Sequence, residues 1–358
     1  MSALTPPALV DARPRRVRIA IVTAGLSIGL VIFALVSLGT GQLSVSPLEV
    51  LSVLLRPLGI DIGVHPQNPL AEAALLTIRF PRVVMSLLIG AALAVAGMVM
   101  QAIFGNPLAE PGVVGVSSGA ALGACSAIVF GLTFFGEWTV PVMAFAAGLA
   151  TTLIVYGFSR SSGKTEVVTL ILTGIAVNAF AGAGLALLTF LGDTQTREQI
   201  IFWQLGSLNG SRWVQVLIVL PCVIVGVAAV FFIVRRLDLL ALGEKTARHL
   251  GVNVEALRLF SIVLVALLVA SAVSFAGIIG FVGLVVPHLM RMLLGPAHLP
   301  LLITSTLGGA LLLVIADLVA RTAVPYADLP IGMLTSLVGG PFFFWLLRRT
   351  RTKSGGWA

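Results

Sequence analysis

Three short stretches carry residue types whose spacing could do chemistry. Gly115-Val116-Ser117-Ser118-Gly119 has the letters of a nucleophile elbow, in which a serine on a strand-to-helix turn attacks a carbonyl carbon. That chemistry needs a base, and none of His65, His249, His288 and His298 is placed by sequence to act on either serine. Gly163-Lys164-Thr165 has the closing letters of a phosphate loop, but Gly157 leaves five intervening residues where that loop has four, and no strand is expected before it. The third group is cationic. Arg79 and Arg82, one helical turn apart and so on one face, could receive carboxylates, and so could Arg321, with Asp317 one turn earlier as a local partner. Catalytic residues and metal ligands are not expected, since Cys125 and Cys222 each sit inside an apolar run, where a thiol packs as a small hydrophobe.

The elements that must position these residues are membrane spans. Hydrophobic residues make up 58% of the 358 positions and charged residues 10%, where a soluble domain has roughly a quarter charged. Apolar windows of about 20 residues fall at 19–39, 80–102, 113–135, 138–158, 167–191, 213–234, 257–274, 276–294, 300–320 and 331–347. Short helices are expected in the longest polar stretches, 40–78 and 235–256. The run after Arg13, Arg15, Arg16 and Arg18 is too long for the apolar part of a signal peptide and has no cleavage site, so it reads as a retained first span. The net charge of +8 lies in short clusters between spans, a pattern of topology signals rather than of a nucleic-acid surface. An even number of spans with the N-terminus inside leaves only Arg56, Arg79, Arg82, Arg197, Arg212 and Arg321 outside. The expected fold is therefore an all-α polytopic membrane protein with ten spans and both termini cytoplasmic. A cytoplasmic segment covers 1–18, the ten-span unit 19–349 and a tail 350–358.

Between the second and third spans, Asn106-Pro107-Leu108-Ala109-Glu110-Pro111-Gly112 holds two prolines and a glycine, so its backbone cannot be continuous helix. At membrane depth such backbone is tolerated only beside protein or a water-filled cavity, so the segment is either a constriction on a path or a plain turn. Gly115, Gly119 and Gly123, like Gly90 and Gly97, permit close helix approach. The serines Ser117 and Ser118 more simply cap a helix or line a polar path. On the inside, Ala241 to Leu250 reads as a short amphipathic helix, with Leu242, Thr246 and His249 beside Glu244, Lys245 and Arg248.

Taken in order, Arg79-Phe80-Pro81-Arg82, an uncharged span, Asn106 to Gly112 and Gly115 to Gly119 resemble the permease subunits of ABC importers for iron complexes (ferric siderophores, haem) and cobalamin. Phe202 to Leu208, Gly283 to His288 and Arg321 to Gly332 are similar to further motifs of that family, so the resemblance runs from about residue 40 to 349. It implies a type II importer permease in the bacterial cytoplasmic (inner) membrane. The implied partners are a second permease copy, two ATPase subunits that bind ATP and Mg²⁺, and an extracytoplasmic substrate-binding protein.

By the same resemblance, Arg79, Arg82 and Arg321 receive the binding protein's acidic residues, and their reversal to glutamate is expected to leave a fold that rests in its spans intact. Gly243, Glu244, Ala247, Arg248, His249, Leu250 and Gly251 match the segment that couples to the ATPase. The path is implied to run along the Arg79 span and the fifth span, with Met98, Gln101, Ser117 and Ser118 on it. Asn106 and Leu108 match one gate element, and Val167 and Val168 fall where the other is expected, although small hydroxyl residues are usual there. Haem or a ferric siderophore is the expected cargo, with cobalamin as the alternative. A proton-coupled carrier is disfavoured because it needs ionisable residues at mid-depth, and an intramembrane hydrolase because no triad or metal cluster is present.

Overall fold

The computed structural model describes residues 13–41, 45–56, 59–60, 62–64, 66, 68–161 and 164–353. Residues 1–12 of the N-terminal segment, His65, Gly163 of the phosphate-loop near-match and 354–358 of the tail lie outside the described residues.

The chain is helical almost throughout. Helix α1 (Arg13–Gly39) is followed by two short helices, α2 (Pro47–Leu55) and α3 (Pro69–Ala74). Ser46 caps α2 reciprocally with Glu49, and Asn68 caps α3 ahead of a proline. A π-helical turn, Leu75–Arg79, carries α3 directly into α4 (Phe80–Phe104). Then come α5 (Val116–Val129), α6 (Thr139–Phe158), a two-residue antiparallel hairpin of β1 (Arg160–Ser161) and β2 (Lys164–Thr165), and α7 (Val167–Leu191). The remainder is α8 (Thr194–Leu205), α9 (Trp213–Leu240), α10 (Glu244–His249), α11 (Val254–Ala276), α12 (Val282–Leu294), α13 (His298–Thr322) and α14 (Ile331–Lys353).

Among the described residues, seven helices are long and apolar enough to cross a membrane, and α5, α12 and the apolar part of α14 are shorter apolar helices. These ten coincide with the ten expected spans; several ends move, and two of the starts move for a reason visible in the backbone. The third begins after a 3₁₀ turn, Pro111–Val114, because Gly115 takes a left-handed φ of 80°. The eighth begins only at Val282, because Gly277 and Phe281 both have positive φ and break the backbone after α11.

Helix α4 is the hub, packed against α9, α11, α12 and α13, while α5 packs on α6 and α7, and α1 on α13. Backbones touch where glycines face each other: Gly90 meets Gly309 of α13, Gly97 meets Gly283 of α12, and Gly119 and Gly123 seat against the backbone of α6. The Phe202–Leu208 motif, the break after α11 and the start of α14 tie into one knot, in which Ser207 N donates to Ala276 O (2.8 Å) and Ile331 N to Gly206 O (2.9 Å).

Candidate functional site

Functional residues gather at the two ends of α4. At its start the three arginines come together around a cavity of about 560 Å³ that Asn209, Tyr326 and Asp328 also line. Their guanidinium groups do not project freely. Arg79 Nη1 donates to the carbonyls of Leu38 (2.9 Å) and Gly39 (3.3 Å), and Arg321 to Thr40 O (2.6 Å) and to the carbonyl and hydroxyl of Ser37. These are the last carbonyls of α1, which lack helical partners and sit at the negative end of the helix dipole. Arg82 Nε donates to Asp317 Oδ1 (2.9 Å) and Nη1 to Asp328 Oδ2 (2.8 Å).

Asp317 has no exposed surface, and its closer partner is Arg82, with Arg321 at 3.7 Å. The structure therefore corrects the expectation that reversing these charges would spare the fold, because Arg82 is itself part of a buried ion pair. Three cations against two carboxylates still leave this cavity net positive.

At the other end, Gly105 (φ 60°) stops α4. Exposed Asn106 accepts from Leu108 N (2.9 Å) in a side-chain turn that holds the half-buried Leu108 in place. Ser118 donates to Asn178 Oδ1 of α7 (2.5 Å), and Asn178 Nδ2 donates to Gly112 O (3.2 Å), so this serine clamps the start of α5 to α7. Ser117 is half-buried beside it. Glu110 accepts from the backbone N of Phe281 (3.3 Å) at the N-terminus of α12; burial pushes its carboxyl above the ordinary range, against the pull of that hydrogen bond.

Gln101 is buried, with Nε2 donating to Leu284 O (3.1 Å). Met98 is a correction: it has no exposed surface and packs in the core of the protomer, so it lines no path in this structure. Val168 is 68% exposed, and Val167, the first residue of α7, lines a second cavity of about 480 Å³ together with Gln101, Pro107, Glu244, Arg258 and Arg291.

Glu244 opens α10. The helix is shorter than the Ala241–Leu250 expected, because Gly243 has φ 102° and Ala241 and Leu242 form a turn before it. Ala247 is buried under the helix, while Leu242 (63%) and Leu250 (55%) stay exposed, and Arg248, His249 and Gly251 are exposed too. Glu244 is 3.4 Å from Arg248 and pairs with Arg258, which the sequence presented only as a topology charge. Asn178, Glu110 and Arg258 were not legible as site residues, since each acts on a partner at least sixty positions away or on another helix. Among the described residues no cluster of His, Cys, Asp and Glu could hold a metal ion.

Residues 29–349 match the FecCD transport family. The haemin transport system permease of Yersinia pestis is 43% identical over 290 residues, covering 78% of this chain and 85% of that one. A cobalamin import permease of Halobacterium salinarum is 41% identical over 285 residues, covering 79% and 76%. A solved metal-chelate type ABC transporter in an inward-facing conformation superposes with a TM-score of 0.81 at 35% identity, covering 92% of this chain and 99% of that one.

Proposed function

Given that the chain belongs to the FecCD transport family and is an ABC importer permease, we propose that it passes an iron chelate, haem before a ferric siderophore, across the bacterial cytoplasmic membrane. It works as a homodimer with two ATPase subunits, which hold ATP and Mg²⁺, and with an extracytoplasmic binding protein that docks at the arginine mouth. The observation that carries this reading is the placement of two polar sites at opposite ends of one buried helix. The 25 residues of α4 rise about 37 Å, enough to cross the hydrocarbon from the arginine mouth to the loop beside α10. The haemin and cobalamin permeases are about equally similar to this chain, at 43% and 41% identity, so competition between haem and cobalamin for uptake decides the cargo.

The test is haem uptake into vesicles carrying the permease, its ATPase and the binding protein. Uptake should require all three components and ATP, and the permease alone should hydrolyse no ATP. Uptake driven by a proton gradient without ATP would instead establish a secondary carrier. Docking should weaken as salt is raised, because the net positive field that the cavity presents outward is screened beyond about 8–10 Å near physiological ionic strength; affinity indifferent to salt would remove the arginine mouth from the docking surface.

Two further outcomes follow from the inner end. Shortening Leu108 to alanine widens the constriction made by the Asn106–Gly112 segment, so a small fluorescent solute should leak from vesicles without ATP; an unchanged leak identifies the segment as a plain turn. Changing exposed Leu242 and Leu250 together to serine should abolish co-purification of the ATPase with little loss of stability, since exposed substitutions usually stay within about 0.5 kcal/mol. Full ATPase recovery would refute the coupling role of α10.

A further inference from the structure

Arg258 stands in the first turns of α11, only 4% exposed, and its planar fork reaches two elements at once. One arm pairs with Glu244 at the head of α10. The other, Nη1, donates to the backbone carbonyl of Thr165 in β2 (3.1 Å). Glu255, one turn before Arg258 and 3.8 Å from it, accepts from the backbone N of the same Thr165 (2.9 Å). Both backbone groups of Thr165 are thus gripped from α11. Thr165 is itself buried and lies two residues before Val167, where α7 begins.

The cavity beside this clasp is lined by Glu244 and Arg258 on one side and by Val167, Gln101 and Pro107 on the other. The outer end of the clasp is accessible, because the Glu244 side chain is 45% exposed and opens the helix that exposed Leu242 and Leu250 flank. A displacement of α10 that keeps this ion pair pulls on Arg258, and through Arg258 on the strand that leads into α7.

We propose that Arg258 is the positioning residue that transmits movement of α10 to the start of α7, so that the ATPase state is read out at the α7 end of the path. This rests on α10 being the ATPase contact. A rigid staple without transmission would need only charge balance, whereas transmission needs both arms of the fork. Arg258→Lys separates the two requirements: it keeps the positive charge beside Glu244 and Glu255, but a single ammonium cannot hold Glu244 and Thr165 in one fixed geometry. Glu244→Gln, at a half-exposed side chain, cuts the same link from the other side and keeps the test independent of how well the lysine variant folds.

The readout is a spin label at exposed Val168, followed in the assembled permease–ATPase complex with and without ATP. The wild-type complex should show an ATP-dependent change in the label, and each variant, compared at equal bound ATPase, should reduce that change by roughly fivefold to tenfold. The double variant should lose no more than either single one, because both cut one link. A wild-type-like response in both variants, multiplicative losses in the double variant, or no ATP response in the wild type would overturn the clasp. Failure of the underlying coupling assignment is seen separately, as retained ATPase binding after the Leu242 and Leu250 substitutions.

Discussion

Replacing Arg82 with glutamate should leave almost no folded protein. The arginine is 8% exposed and holds Asp317, which has no exposed surface, at 2.9 Å and Asp328 at 2.8 Å. Reversal leaves three carboxylates facing two cations where three cations faced two carboxylates, and it removes the nearest partner of both Asp317 and Asp328. Breaking a buried pair from one side typically costs about 3–5 kcal/mol, and adding a like charge exceeds that. Detergent-solubilised variant should give no monodisperse peak in size-exclusion chromatography. Asp328→Asn, at a side chain 30% exposed, should survive with a modest fall in Tm. A monodisperse Arg82→Glu protein melting within a few degrees of wild type would show that the pair does not hold α4 to α13, and would return Arg82 to the role of a free docking cation.

Gly97→Leu should be as damaging for a different reason. A Cβ built on Gly97 would lie 1.8 Å from the carbonyl oxygen of Gly283, where real contacts do not come closer than 3.0 Å. The obstacle is backbone, not a side chain that can rotate away, so α4 and α12 would have to part by about 1 Å even for alanine. Overpacking a core ordinarily costs about 1–3 kcal/mol; alanine should reach the top of that range and leucine should abolish folding. Gly182 in α7 is the control, because nothing lies within 4 Å of its added Cβ. Gly182→Ala should leave Tm unchanged or raise it, as alanine is favoured over glycine in a helix by about 1 kcal/mol. Equal melting temperatures for the two alanine variants would mean that the α4–α12 contact is looser than the structure has it.

Much of the fold was legible because a bilayer admits few solutions: apolar length alone located the ten helices that correspond to spans. What length could not show was where two of them start. Gly115 is an ordinary residue for a positive φ, but Phe281 is not, and nothing in its letter announces that α12 begins only after it. The mouth was legible in part. Spacing put Arg79 and Arg82 on one face and the positive-inside trend marked Arg321 as an exception, yet their actual partners are far along the chain: Ser37 is 284 residues from Arg321, and Asp328 is 246 from Arg82. Asp317 was noticed as a neighbour of Arg321 one turn away, while its closer bond to Arg82 depends on how α13 packs against α4. At the inner end Glu244 was visible through its family-like motif, whereas Arg258 carried no local sign of its fork, since Thr165 and Glu244 reach it from two other elements. Met98 shows the converse failure. Its place on the α4 span suggested the path, and only packing shows that its face of the helix is turned inward.

The arginine bonds to the end of α1 also set an order on biogenesis. Helix α1 leaves the ribosome before α13, and its most apolar stretch is not buried by the rest of the protein; the carbonyls of Ser37 and Thr40 at its C-terminal end are closed by Arg321, which is made some 280 residues later. Until α13 has been inserted, the C-terminal end of α1 lacks the arginine that completes it, and the arginine cavity is unfinished. A chain that ends before α13 leaves the last carbonyls of α1 without Arg321, so the cavity at the start of α4 is closed only late in synthesis.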